Sequence, residues 1–206
     1  MGCSNKKKNT PSSKGPDLKV TPVAQQKKTI ETKIVLLGEQ NVGKSSIAQR
    51  YCKNIFSDKH VATIGGAYFQ QKVQIKGGNS LLLHIWDTGG QERFRAMASL
   101  YYKDATAALL CYDVTNRESL TNLNYWIEQL NENGTSPNGE PIIICIAGNK
   151  CDVPASEKKV SFDDLRNFAK DNNVEIFMET SAKSDIGIKE LFGLLAQKIY
   201  ESQNKT

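Results

Sequence analysis

The segment Gly38–Ser45 combines glycines, a lysine and a serine at a spacing that suits phosphate binding. Its residues, G-E-Q-N-V-G-K-S, follow an apolar run and open a helical pattern, which is the context that a phosphate-binding loop requires. Glycines let the backbone wrap a β-phosphate, the helix N-terminus adds positive potential, and Lys44 can reach the β- and γ-phosphates. The Ser45 hydroxyl is a hard oxygen ligand for Mg²⁺. A glycine-rich turn with a chance Lys-Ser pair is the alternative, and the flanking strand and helix argue against it.

The segment W-D-T-G-G-Q-E, which begins at Trp86, follows another apolar run. Asp87 at the end of this run is placed to hold the hydration shell of Mg²⁺, and Gly90 allows a backbone N–H to approach a γ-phosphate. Gln91 can orient the attacking water. Taken alone, the segment fits a strand that ends in an ordinary Asp-Gly turn equally well. With the first segment it predicts hydrolysis of a nucleoside triphosphate, in which Gln91 and Lys44 are the catalytic residues.

Two further segments distinguish guanine from adenine. The first, N-K-C-D, ends at Asp152 after the fifth apolar run. Guanine presents N1–H and N2–H₂ donors on one edge, and a carboxylate can accept both, whereas adenine would leave the buried carboxylate unpaired. The second, T-S-A-K, ends at Lys183 and can offer a backbone N–H to the guanine oxygen. Either one alone is explained by a polar strand end, but both in this order favour GTP and GDP as ligands.

Short apolar runs alternate with helical patterns and predict the elements that position these segments. The predicted strands are Lys33–Gly38, Ala67–Ile75, Leu81–Trp86, Ala107–Asp113, Pro141–Asn149 and Glu175–Met178. The predicted helices are Lys44–Lys53, Phe94–Lys103, Glu118–Asn131, Phe162–Asn172 and Ile186–Glu201, of which the third and fourth begin with the capping boxes Thr115-x-x-Glu118 and Ser161-x-x-Asp164. We therefore predict an α/β fold, a six-stranded mostly parallel sheet with helices on both faces, in which a hairpin turn at Lys76–Asn79 makes one strand antiparallel. Ligands of such sheets bind at the carboxyl ends of the strands.

The composition limits the classes of function. The 206 residues fit one domain with a tail, and no apolar run approaches the roughly 18 residues of a membrane-spanning helix. The formal charge of +5 arises in residues 1–30, which carry seven lysines and one aspartate. The rest of the chain is close to neutral, so we expect no nucleic-acid partner. Five cysteines, mostly inside apolar runs, indicate a reducing compartment and no disulfides.

Over about Thr32–Glu201 the sequence resembles the Ras superfamily of small GTPases, with all five nucleotide motifs in order. The resemblance implies that Phe56 packs on the guanine, that Thr63 closes on Mg²⁺ and the γ-phosphate, and that Gly90 and Gln91 anchor the second switch segment. The implied nucleotide-binding residues are Gln40, Asn41, Val42, Gly43, Lys44, Ser45, Ser46, Phe56, Thr63, Gly90, Asn149, Lys150, Asp152, Ser181, Ala182 and Lys183. The implied Mg²⁺ ligands are Ser45, Thr63 and Asp87.

Other motifs resemble the Rab family, nearest its early-endosomal group. They are Thr63-Ile-Gly65, Trp86-Asp-Thr, Glu92-Arg-Phe94, Tyr101-Tyr102 and Glu179-Thr-Ser-Ala-Lys183. The resemblance implies a monomeric GTPase domain over 31–202 that regulates vesicle and endosomal traffic in its Mg·GTP form, with an exchange factor, a GTPase-activating protein and effectors as partners. It also implies that Tyr68, Trp86 and Tyr101 form an aromatic triad that effectors contact, for which ordinary packing is the alternative.

Several positions depart from the Rab pattern. Gly89 stands where most Rab proteins have alanine, which loosens the second switch segment, so a scaffold that binds nucleotide with negligible turnover is the alternative function. The Gly-Gly-Gln sequence and an N-terminal Met-Gly also occur in the Arf family, although Ser181–Lys183 and Glu92–Phe94 are Rab-like. His60 and Gln40 occupy positions that vary between Rab proteins, so the sequence does not determine the hydrolysis rate.

The ends of the chain predict an unusual membrane anchor. The sequence starts M-G-C-S-N-K-K-K, in which Gly2 fits N-myristoylation, Cys3 fits palmitoylation, and the lysines can meet anionic lipid. The myristoylation pattern prefers Ser or Thr where Lys6 stands, and an unmodified leader is the alternative. After the last helix the sequence reads Gln203–Thr206 rather than a long tail with prenylated cysteines, so we expect no prenylation. We predict a disordered basic anchor over 1–30, a short end over 203–206, and location on the cytoplasmic face of an endosomal, vacuolar or plasma membrane.

Overall fold

The computed structural model describes residues 1–2, 29–59, 62–75, 78–91 and 98–204. The strands are β1 Thr29–Leu37, β2 Gly66–Gln74, β3 Ser80–Thr88, β4 Ala107–Asp113, β5 Ile143–Asn149 and β6 Ile176–Glu179. The helices are α1 Lys44–Lys53, α2 Ala98–Tyr102, α3 Arg117–Thr121, α4 Leu123–Asn133, α5 Phe162–Asp171 and α6 Ile188–Gln203. Strands and helices alternate along the described chain, except that β3 follows β2 and α4 follows α3 directly.

The six strands form one sheet in the order β2-β3-β1-β4-β5-β6. β1 pairs in parallel with both β3 and β4, and β5 pairs in parallel with β4 and β6. β2 pairs antiparallel with β3, from Gly66 opposite Thr88 to Gln74 opposite Ser80. The predicted α/β fold, with a mostly parallel sheet and one antiparallel strand, is confirmed.

The core lies in two layers because successive side chains of a strand point to opposite faces of the sheet. Ile34 and Leu36 of β1 belong to one buried cluster, whereas Val35 and Leu37 belong to the other. The first cluster also contains residues of α1 and α6, and the second contains residues of α4 and α5. β4 is buried at all seven positions, as expected for a central parallel strand covered on both faces. This packing fixes the strand ends from which the site loops start.

β1 begins at Thr29, before the predicted start at Lys33 and before the proposed domain boundary at residue 31. Residues Thr29–Glu31 continue the parallel register with Ser80–Leu82 of β3, so the strand pairing extends through polar positions. Apolar content alone does not reveal such a strand end.

The prediction of one continuous helix over Glu118–Asn131 is wrong, because the structure has two helices there, α3 and α4, which are separated at Asn122. The side chain of Asn122 donates a hydrogen bond of 2.5 Å from Nδ2 to Oε1 of Glu39 in the phosphate loop. The predicted Thr115 cap is also wrong, since the side chain of Asn116 caps α3 by accepting from the Glu118 N–H. Both Thr115 donors, N–H and Oγ1, bond to Oδ1 of Asp113 instead.

The capping box at Ser161 is confirmed, with Ser161 and Asp164 exchanging side-chain to backbone hydrogen bonds. The last helix starts at Ile188 rather than at Ile186, because Ile186 pairs with Ser181 in an isolated bridge and Gly187 has a left-handed φ of 70°. Such a φ favours glycine.

Some predicted features lie outside the described residues. These are Cys3, the lysines at 6–8, His60, the Lys76–Gly77 part of the hairpin turn, Glu92–Phe94, and the first residues of the helix predicted from Phe94. Within the described part of the chain, Cys52, Cys111, Cys145 and Cys151 are free thiols. None of the described helices has the length and apolar character needed to cross a membrane.

Candidate functional site

A cavity of about 500 Å³ lies at the carboxyl ends of the parallel strands, where the predicted motifs converge. Fourteen of the sixteen predicted nucleotide-binding residues line it. The lining residues are Gln40, Asn41, Gly43, Lys44, Ser45, Ser46, Phe56, Asp58, Ala62, Thr63, Thr88, Gly90, Gln91, Asn149, Lys150, Asp152, Val153, Ala182 and Lys183. The two predicted residues outside the lining, Val42 and Ser181, are buried behind it.

The phosphate loop has a backbone that only glycine allows at Gly43. Its φ is 97°, and a Cβ there would lie 2.1 Å from Nδ2 of Asn149. The Asn149 side chain donates from this Nδ2 to the Val42 carbonyl at 2.9 Å. Val42 therefore contributes a backbone acceptor, while its side chain packs in the core. Asn149 in this way joins the end of β5 to the phosphate loop.

Lys44 is buried at the start of α1, with its ammonium turned back onto the phosphate loop. Nζ donates to the carbonyls of Gly38 and Glu39 at 2.8 and 2.7 Å. Burial lowers the pKa of the Lys44 ammonium, which Asp87 partly opposes. A phosphate group beside Nζ would favour the charged form further, because an opposite charge at short range stabilises an ammonium.

Three side chains that carry oxygen atoms able to bind a metal meet beside Lys44. Ser45 Oγ lies 2.8 Å from Thr63 Oγ1 and donates to Asp87 Oδ2 at 2.5 Å, and Thr63 Oγ1 donates to the same oxygen at 3.4 Å. Asp87 is only 1% exposed, and its other oxygen, Oδ1, has no hydrogen-bond partner among the described residues. Burial raises the pKa of the Asp87 carboxyl, and the hydrogen bond from Ser45 acts in the opposite direction. Two hydroxyls and a carboxylate with an unpartnered buried oxygen suit a hard divalent cation such as Mg²⁺.

The base-selecting side of the cavity is built around Asp152. Ser181 Oγ donates to Asp152 Oδ1 at 2.6 Å, and the Ser181 N–H and carbonyl are both bonded to Ile186. Ser181 is therefore a buried support for Asp152 rather than a lining residue. A carboxylate offers about four acceptor positions, so Asp152 can accept from Ser181 and from a guanine edge together. Lys150 has a left-handed φ of 67°, and its Nζ pairs with Asp113 Oδ2 at 2.6 Å.

The second switch segment begins against the phosphate loop. A Cβ on Gly90 would lie 2.5 Å from the Glu39 carbonyl oxygen and 2.6 Å from the Gln40 nitrogen, so no other residue fits this approach. The Gly89 N–H donates to the Gly65 carbonyl at 2.9 Å and ties the two switch segments together. Gln91 lines the cavity, and its buried Oε1 has no hydrogen-bond partner in the described part of the chain.

The predicted aromatic triad is assembled on the surface beside the site. The ring centroids of Tyr68 and Trp86 are 5.5 Å apart, and those of Trp86 and Tyr101 are 6.4 Å apart. Tyr68 is 50% exposed and Trp86 36% exposed, and Ile64 and Leu100 add further exposed apolar area. A second, shallow groove of about 830 Å³ continues from Tyr68 and Trp86 along β1 and β3. Exposed apolar surface of this kind marks interaction sites in soluble proteins.

Sequence reasoning missed four residues of the cavity wall, Asp58, Ala62, Thr88 and Val153. They are neighbours of predicted residues along the chain, so counting one or two positions beyond each motif would have found most of them. The supporting hydrogen bonds of Asn149 and Ser181 carry no local signal, because their partners are distant in sequence.

The sequence pattern of the Ras family matches residues 33–201. Ras-related protein Rab-5B of Plasmodium falciparum (isolate 3D7) is 43% identical over 203 residues, which cover 97% of this chain and 94% of that protein. Ras-related protein Rab-21 of Mus musculus is 41% identical over 170 residues, covering 82% of this chain and 73% of that protein. Rab-21 of Bos taurus is 39% identical over 175 residues, covering 85% and 76%. The similarity therefore includes the phosphate loop, both switch segments and the base-selecting loops.

Proposed function

The chain belongs to the Ras family of small GTPases, in its Rab group, and on that premise we propose that it is a guanine-nucleotide switch of endosomal membrane traffic whose Mg·GTP form recruits effectors. Members of this family hydrolyse GTP to GDP and phosphate. One observation carries the proposal: the side-chain oxygens of Ser45 and Thr63, which line the cavity, meet the buried carboxylate of Asp87, the residue that follows Trp86 of the aromatic triad on β3. The similarity to Rab-5B and Rab-21 favours the Rab group over the Arf-like alternative.

The chain's own residues position the phosphates and the attacking water. The backbone N–H groups of the phosphate loop and the Lys44 ammonium bind the β- and γ-phosphates. Ser45, Thr63 and Asp87 would hold Mg²⁺, which when bound would supply positive charge to the phosphate oxygens. The Gln91 side chain, with its unpartnered oxygen in the cavity, orients water toward the γ-phosphate. Such positioning and charge stabilisation account for most of the catalysis of phosphoryl transfer.

Two short stretches of the chain connect the oxygen cluster in the site with the aromatic triad on the surface. Asp87 and Trp86 are consecutive on β3 and lie on opposite faces of the strand, the first buried and the second partly exposed. Thr63 precedes Tyr68 by five residues, at the entry to β2. A change in the oxygen cluster is therefore expected to shift the backbone that presents the aromatic rings, and the hydrogen bond from Gly89 to Gly65 connects the two segments.

Replacing Ser45 with asparagine is expected to weaken binding of Mg·GTP more than binding of GDP. The amide removes a hydroxyl ligand and crowds the oxygens of Thr63 and Asp87. Substitution of residues that merely hydrogen-bond to metal ligands reduces metal affinity by about 10- to 100-fold. Loss of the ligand itself should therefore lower the affinity for Mg·GTP at least tenfold. Affinities for GTP and GDP measured with and without Mg²⁺ would check this.

Ser202→Asn, on α6 away from the cavity, is the matched control and should leave both affinities unchanged. Equal loss of GTP and GDP binding in Ser45→Asn, independent of Mg²⁺, would contradict the role of Ser45 as a metal ligand.

Membrane attachment through the N-terminus is a further part of the proposal. Gly2 is exposed, with nothing within 4 Å of the position that a Cβ would take. Myristoylation of Gly2 and palmitoylation of Cys3 would supply two acyl chains, and the nearby lysines would contribute about 1 kcal/mol each at an anionic leaflet. The proposed location is the cytoplasmic face of an endosomal, vacuolar or plasma membrane.

Removing the acyl sites one at a time should give a graded result. A single myristoyl chain binds bilayers with a constant of only about 10⁴ M⁻¹, so Cys3→Ser is expected to be weakly bound and spread over many membranes. Gly2→Ala should be cytosolic, and the wild type should stay on one membrane. Fractionation and imaging of the tagged forms measure this, with Ser4→Ala as the control. A Gly2→Ala protein that remains on membranes would contradict the lipid anchor.

A further inference from the structure

Arg50, in the last turn of α1, connects two parts of the base-binding wall without lining the cavity itself. Its Nε donates to the Ala182 carbonyl at 2.8 Å, and Nη2 donates to the Lys183 carbonyl at 3.2 Å. Its Nη1 donates to the carbonyl and to Oδ1 of Asn54, at 3.3 and 3.0 Å. One guanidinium therefore holds the base-selecting loop against the end of α1.

The bond to the Ala182 carbonyl fixes the direction of the next N–H group. A trans peptide places its C=O and N–H on opposite sides of the chain. When Arg50 holds the Ala182 oxygen on the outer side, the Lys183 N–H of the same peptide is turned to the inner side, where Lys183 lines the cavity.

The neighbouring N–H groups of this loop already have partners. The Ser181 N–H donates to Ile186, the Ala182 N–H to Asn149 Oδ1, and the Ser184 N–H to Ser181 Oγ. The Lys183 N–H makes no hydrogen bond within the described residues. It is therefore the donor of this loop that is left for the oxygen at C6 of guanine.

The contact with Asn54 extends the same support to the other side of the base. Asn54 ends α1 in a left-handed conformation with φ of 54°, two residues before Phe56. Phe56 lines the cavity. Arg50 thus ties the segment that carries Phe56 to the loop that carries Lys183.

We propose that Arg50 is a positioning residue for guanine selection, which aims the Lys183 N–H at the oxygen on C6 and thereby slows nucleotide release. The inference rests on the proposed guanine-binding role of Asp152 and of the loop Ser181–Lys183. In this scheme the Lys183 N–H, which Arg50 orients, recognises the C6 oxygen, and Asp152 recognises the N2 amino group. Only an arginine has the planar fork of donors that reaches both carbonyls and Asn54.

The test compares release of three diphosphates from wild type, Arg50→Met, Arg50→Lys and the control Arg166→Met. The nucleotides are GDP, inosine diphosphate, which lacks the N2 amino group, and the diphosphate of 2-aminopurine riboside, which lacks the C6 oxygen and with it the N1 hydrogen but keeps the N2 amino group. Arg166 pairs on the surface with Asp163 and does not line the cavity, so its variant should match wild type.

Both Arg50 variants are expected to release GDP and inosine diphosphate about tenfold faster or more, since interface changes act mainly on dissociation. Release of the 2-aminopurine nucleotide should accelerate by a clearly smaller factor, because it loses only the support of the segment that carries Phe56 and has no C6 oxygen for the Lys183 N–H. Arg50→Lys keeps the charge and most of the packing, so it decides the question if Arg50→Met does not fold.

Equal acceleration for all three nucleotides, or no acceleration for any, would overturn the inference about Arg50. A wild-type protein that releases all three nucleotides at the same rate would instead overturn the assignment of guanine recognition to Asp152 and Lys183. The two failures are therefore distinguishable in one set of measurements.

Discussion

Replacing Asp152 with asparagine should lower the affinity for GTP and GDP by about 100-fold or more. The carboxylate accepts from Ser181 through Oδ1, and an asparagine that keeps this acceptor turns its NH₂ group toward the guanine donors. A donor that faces another donor once the bound base covers it loses a charge-assisted pair and leaves polar groups unsatisfied, which costs several kcal/mol. Dissociation constants measured by displacement of a fluorescent nucleotide would check this.

The same variant should gain affinity for xanthosine diphosphate. Xanthine carries a carbonyl at C2 where guanine carries an amino group, so the new amide donor finds an acceptor there. Asp171→Asn, at the exposed end of α5, is the control and should keep the wild-type preference. Unchanged GDP affinity, or weak binding to both bases, would contradict the assignment of Asp152 as the selecting acceptor.

Replacing Gln91 with leucine should preserve GTP binding and reduce hydrolysis stimulated by an activating protein on the order of 100-fold. The side chain lines the cavity with an unpartnered oxygen, and leucine has a similar size but no group that can orient water. A misplacement of about 1 Å in a reacting group is enough for a loss of this size. Single-turnover hydrolysis with and without the activating protein measures the effect.

Gln197→Leu, on α6, is the matched control for Gln91→Leu. It should hydrolyse GTP at the wild-type rate. Stimulated turnover that survives in Gln91→Leu would exclude Gln91 as the water-orienting residue. A wild type that does not turn over even when stimulated would favour the nucleotide-binding scaffold for which Gly89 is the sequence signal.

The sequence predicted the parts of the fold and site that depend on local pattern. The six-stranded sheet, the Ser161 capping box and the antiparallel pair depend on residue type and spacing, and the structure confirms them. Lys44 and Asp152 lie where their motifs place them, because a loop between a packed strand and a packed helix has little freedom.

The failures come from contacts between residues that are distant in sequence. Asn122 interrupts a segment whose sequence pattern predicts one continuous helix, and its side chain bonds to Glu39, 83 positions away. Arg50 and Ala182 are 132 positions apart, and their hydrogen bond has no counterpart in either local pattern. The early start of β1 likewise depends on its register with β3.

The aromatic triad also gives the protein an internal optical probe. The chain has two tryptophans: Trp86 lies in the triad with the Lys33 ammonium 5.5 Å from its ring centre, and Trp126 is buried in α4. Indole emission changes with water contact and with neighbouring quenching groups. Because Trp86 precedes Asp87 of the oxygen cluster on β3, binding of nucleotide and Mg²⁺ there is expected to alter the surroundings of its ring. Intrinsic fluorescence of a Trp126→Phe protein therefore reports the exchange of GDP for GTP in real time, without an attached label.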